Sequence, residues 1–170
     1  ICFILPLSIG MALTIRVGHG IGGNLPNQVK RSVLIGFSLA LGLSSLTCLV
    51  MLILPITLAS IYTTEPLVLD IAASLFIFAA LFQFSDAFQI AANGALRGFK
   101  DTAKPLLLIF ISYWIIGLPL GYLLGMTDLI YPIMGAAGFW IGIISGLSMA
   151  AVLLCLRLWR VLRKPFPQPH

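Results

Sequence analysis

The stretch LFQFSDAFQIAANGALRG, Leu81 to Gly98, sets the carboxylate of Asp86 inside an apolar run that also carries Gln83, Gln89, Asn93 and Arg97. On a helix turning about 100° per residue, with Gln83 at zero, Asp86 falls at about −60°, Gln89 at about −120°, Asn93 at about −80° and Arg97 at about −40°. All five share an arc of about 120°, so one face of the helix looks into protein or a watery cavity. Such a face can do one kind of chemistry. A buried carboxyl resists carrying charge, and a nearby cation restores it, so the group can take up and release a proton or small cation. The alternative is a carboxyl hydrogen-bonded to a polar group on another helix, which would fix the bundle. From Asp86 to Arg97 is about 16 Å at 1.5 Å per residue, half of a core about 30 Å thick. Asp86 is therefore expected near the midplane, where an aspartate costs on the order of 3 kcal/mol.

Other patterns point away from catalysis. The stretch GHGIGG, Gly18 to Gly23, fits G-x-G-x-x-G, but that fingerprint works only between a strand and a helix N-terminus facing a pyrophosphate. Here it follows an apolar helix, and a helix end with Arg16 and His19 reaching headgroups or water is expected. Cys2, Cys48 and Cys155 stand alone, without metal or disulfide spacing, and read as packing residues. No nucleophile with a base and no metal cluster falls within the apolar runs, so a membrane enzyme is not indicated. Gly117, Gly121 and Gly125, then Gly138, Gly142 and Gly146, recur every fourth residue, a spacing that lets two helix backbones approach closely. Pro119 lies within the first row and predicts a kink.

The elements that must hold these residues are membrane spans. The 170 residues are 60% hydrophobic and 9% charged, with a mean hydropathy of +1.10, outside the range of a soluble domain. Runs long enough to cross the bilayer lie at about 1–17, 33–61, 67–96, 105–126 and 133–156. They predict an all-α transmembrane bundle over 1–156, followed by a basic tail, 157–170. Connections are short, so neighbouring helices should be antiparallel. The net charge of +5 is spread between apolar runs and does not form a nucleic-acid surface. Lys30 and Arg31, then Arg97, Lys100 and Lys104, then Arg157, Arg160, Arg163 and Lys164 fill every second connection, whereas the loops between carry Glu65 and Asp128. Basic loops stay on the cytoplasmic side, so the C-terminal tail is expected there, with Trp159 as an interfacial anchor. The chain opens inside an apolar run and reads as the C-terminal part of a longer protein.

The segments FQFSDAFQIAANGALRGFKDTAKP, SYWIIGLPLGYLLG and PLSIGMALTIRVGHGIG resemble the multidrug and toxin extrusion family, in its bacterial NorM-like branch, over essentially the whole chain. The resemblance implies five helices, most of the C-terminal lobe of a twelve-helix antiporter. Such a protein expels organic, often cationic, amphipathic compounds across the inner membrane in exchange for sodium or a proton. It also implies that Asp86 is the coupling carboxylate, with Gln83 beside it, and that Phe82, Gln89 and Asn93 are candidates to line the cavity. Phe82 lacks the hydroxyl that an aromatic residue sometimes brings there. Asp86 would bind a metal ion only if sodium is the coupling ion, and no other cofactor is expected. The implied partners are drugs and organic cations, the bilayer and the N-terminal lobe of the same transporter. The rival readings are a flippase for lipid-linked sugars, which needs basic residues in its cavity where this stripe has only Arg97, and a structural membrane subunit.

Overall fold

The computed structural model describes residues 4–61, 65–128, 132 and 134–163, and every regular element among them is a helix. These are α1 (Ile4–Gly22), α2 (Pro26–Ile53), α3 (Pro55–Ser60), α4 (Pro66–Gly98), α5 (Ala103–Ile111), α6 (Leu118–Met126) and α7 (Ala136–Leu162), with a π turn, Ser112–Gly117, joining α5 to α6. Five stretches are long and apolar enough to cross a membrane: α1, α2, Leu75–Gly98 of α4, the continuous α5–α6 segment and α7. Cys2, Thr64 and Lys164 lie outside the described residues, as does the second half of the expected tail.

Proline sets the helix starts. Pro26, Pro55 and Pro66 each occupy the first turn of a helix, where the missing N–H costs nothing and the fixed φ is already helical. Two expected limits therefore move. The run 33–61 begins as a helix at Pro26, so Lys30 and Arg31 stand on the first turns of α2 and not in a loop. It breaks at Leu54, held at φ −120° and ψ 41° before Pro55, because the proline ring disfavours α geometry in the residue before it. The last helix runs on to Leu162, so Arg157 and Arg160 belong to its final turns.

Two helix ends are closed by the same device. After α1, Leu25 N–H donates to the Gly20 carbonyl at 2.8 Å and Asn24 N–H to that of Ile21 at 3.1 Å. After α4, Asp101 N–H donates to Leu96 at 3.0 Å and Lys100 N–H to Arg97 at 2.9 Å. Asn24 and Lys100 take the left-handed conformation, φ 51° and 60°, that this paired closure requires. The GHGIGG stretch is thus the closing part of α1 and the turn after it, with no strand before it, and Arg16 and His19 are exposed as expected.

α4 is the centre of the bundle, packed against α1, α2 and α7. Its inner surface is an alanine row, Ala87, Ala91, Ala92 and Ala95, joined by Val17, Val29, Leu96, Leu154 and Leu158. Leucine and isoleucine side chains such as Leu34, Ile15 and Leu106 are turned outward. Lipid is as apolar as these side chains, so helix association rests on close packing and hydrogen bonds. The two glycine rows supply such packing. A methyl placed on Gly142 would lie 2.5 Å from the Gly121 nitrogen and 2.7 Å from the Gly117 carbonyl oxygen. One on Gly138 would meet the Gly125 nitrogen at 2.5 Å. α1 and α4 cross on Gly10 and Gly94 in the same way. The irregularity expected at Pro119 takes the form of the π turn just before it. Ser112, fully buried, donates to the Leu108 carbonyl at 2.8 Å, a back-bond that loosens a helix, and Pro119 has no N–H to offer Ile115.

Candidate functional site

Asp86 stands at the middle of the Leu75–Gly98 span, and only 6% of it is exposed. Its Oδ2 is buried and receives no hydrogen bond from any described residue. An orphaned carboxylate oxygen costs far more than a paired one, so packing alone gives no reason for this residue. Gln83, one turn earlier, is equally buried, and spacing of three residues puts the two side chains on neighbouring positions of one face. Among the described residues no group of three His, Cys, Asp or Glu could hold a metal ion. A sodium ion here would rest on one carboxylate together with neutral oxygens.

The rest of the stripe divides between two flanks. Gln89 Oε1 accepts a hydrogen bond from the Tyr113 hydroxyl, 3.2 Å away on the π turn. Asn93 turns toward α1, where it lines a cavity of about 80 Å³ with Thr14 and Arg97. Arg97 itself is exposed at the end of the helix. The Phe82 ring meets Trp140 of α7 edge to face, with centroids 6.3 Å apart. Sequence reasoning named Asp86, Gln83, Gln89 and Asn93 but not Tyr113, whose only signal was a hydroxyl inside an apolar span.

Two contacts fix α7 beside this face. Ser85 and Ser148 share a hydrogen bond of 2.7 Å between α4 and α7. Arg157 Nε donates to Asp101 Oδ2 at 2.8 Å, tying the turn after α4 to the end of α7. A groove of about 390 Å³ opens between the π turn, α6 and α7, walled by Tyr113, Trp114, Tyr122 and Phe139.

The family model MatE matches residues 1–123. Over 95% of its length the chain is 46% identical to the multidrug resistance protein PmpM of Pseudomonas aeruginosa, covering 34% of that protein. It is 48% identical over the same share to the probable multidrug resistance protein NorM of Idiomarina loihiensis, covering 35% of it. The chain therefore spans about a third of the length of these relatives. Its fold matches a eukaryotic MATE transporter, AtDTX14, with a TM-score of 0.86 at 24% identity, over 97% of this chain and 35% of that one.

Proposed function

The chain belongs to the MatE family, a family of transporters and not of enzymes, and from that premise we propose that it is the coupling part of a multidrug exporter. In this reading the whole protein moves organic, often cationic, amphipathic compounds out across the bacterial inner membrane, with both the basic helix ends and the C-terminus in the cytoplasm. A proton or sodium ion enters in exchange, driven by about 2.3 kcal/mol per 100 mV for each charge. Asp86 is the group that carries the ion, Gln83 stands beside it, and Gln89 and Asn93 line the path. Phe82 supports the site from the α7 side through Trp140. The observation that supports this best is the unpartnered, buried carboxylate oxygen at mid-span.

Asp86→Asn in the full-length transporter keeps the shape and removes the charge. We expect normal membrane levels, loss of cation-driven efflux, and loss of the pH or sodium dependence of substrate binding. Asp86→Glu should keep part of the activity, whereas Asp86→Ala should fail as Asn does. Efflux by the Asn variant at the parent rate, with unchanged ion dependence, would reduce Asp86 to a structural polar residue.

A further inference from the structure

We propose that the face of α4 between Asp86 and Arg97 borders a hydrated crevice against α1, through which Asp86 exchanges its proton or small cation with the basic side of the membrane. The inference rests on the coupling role given to Asp86 above and assigns that role a route. Asp86, Asn93 and Arg97 lie at i, i+7 and i+11, nearly one above the other on a helix. Asn93 is about 10 Å below the carboxylate and Arg97 about 6 Å farther on.

The cavity at this level holds about 80 Å³, room for several waters where polar partners exist to keep them. Those partners are present. The Asn93 amide makes no side-chain hydrogen bond to any described residue, although its side chain lines the cavity. Across from it, Thr14 Oγ1 is 3.0 Å from the Gly10 carbonyl and 2.9 Å from that of Gly94. It can donate to either and keeps its own lone pairs free for water. Because Gly10 and Gly94 lack side chains, backbone forms the wall at the crossing, and carbonyl oxygens take the place of methyl groups. An amide here facing lipid would be costly; facing water it is not. Arg97 puts a positive charge at the mouth. Its field thins out cations entering from the basic side and so favours release over capture from that side.

The test uses the full-length transporter with its native cysteines replaced and single cysteines introduced at Asn93, at Thr14 and at Ala92. Ala92 is buried in the α4 core at the same depth but on a different face. Methanethiosulfonate reagents bearing a trimethylammonium or a sulfonate group are added to either side of sealed vesicles. We expect Asn93→Cys and Thr14→Cys to react from the basic side and Ala92→Cys to stay unreactive. We also expect the sulfonate reagent to react faster at position 93, by roughly five-fold per unit of reagent charge for a guanidinium about 8 Å away at intermediate dielectric. Arg97→Gln should abolish that preference. Inert cysteines at both 93 and 14, or reaction no faster than at 92, would overturn the crevice. A charge preference unmoved by Arg97→Gln would remove Arg97 from its mouth. Reaction does not depend on transport, so reactive cysteines beside an Asp86→Asn variant with normal coupled efflux would leave the crevice standing and sink the coupling role.

Discussion

Gly142→Ala is the sharpest probe of how this bundle is held. The new methyl would sit 2.5 Å from the Gly121 nitrogen and 2.7 Å from the Gly117 carbonyl oxygen, and closer still to the Gly121 Cα. Carbon atoms are at their best near 3.5–4 Å, so α6 and α7 would have to part by about 1 Å. Both obstacles are backbone, which no rotamer change can move aside. Overpacking costs about 1–3 kcal/mol, and the upper half of that range applies here. Alanine returns up to about 1 kcal/mol through its better helix propensity. The net loss is about 1–2 kcal/mol, or roughly a five- to thirty-fold shift toward the unfolded state. Gly42→Ala is the matched control, since a methyl on Gly42 of α2 meets nothing within 4 Å. It should be neutral or gain up to about 1 kcal/mol. The assay is the unfolding midpoint of purified full-length protein in mixed detergent, against increasing sodium dodecyl sulfate. Equal midpoints for the two variants would refute the close-packing account of the glycine rows.

Asp101→Asn and Arg157→Gln should each lower stability by about 1 kcal/mol, modest because the pair is partly solvated. A double variant losing the full sum of both would show that the two side chains do not interact. Orientation is read by accessibility: cysteines at Lys100 and Arg163 should be modified only from the cytoplasm and one at Asp128 only from outside, and modification of position 100 from outside intact cells would invert the topology. The charge pattern of the loops also makes Thr64 an outside position, although it lies outside the described residues.

Much of the fold could be read from residues alone because the lipid environment enforces simple rules. Apolar length marked the spans, and the 3.6-residue period put Asp86 and Asn93 on one face before any neighbour was known. The glycine rows were legible for the same reason, since four-residue spacing has one geometric meaning on a helix. What escaped was decided by partners distant in the chain. Tyr113 reaches Gln89, and Arg157 reaches Asp101, only once α5 and α7 are docked on α4. The start of α2 was misplaced because Lys30 and Arg31 look like a loop, although a first helical turn pointing into water tolerates charge. Phe82 faced Trp140, a preference for edge-to-face contact that no local pattern announces.

The π turn at Ser112–Gly117 stores slack. A wide turn takes in one residue more than an α turn, so Tyr113 can meet α4 while Gly121 and Gly125 still meet α7. If the same residues were wound as a regular helix, everything from Leu118 onward would rotate by about 100°, carrying the glycines off their seam. Loss of one outward residue such as Ile115, 64% exposed, would instead let the turn relax to α geometry with both faces unmoved. Nowhere else in the α5–α6 span is a residue spare, and this turn is where its length can drift across descendants of the sequence while its contacts stay in register.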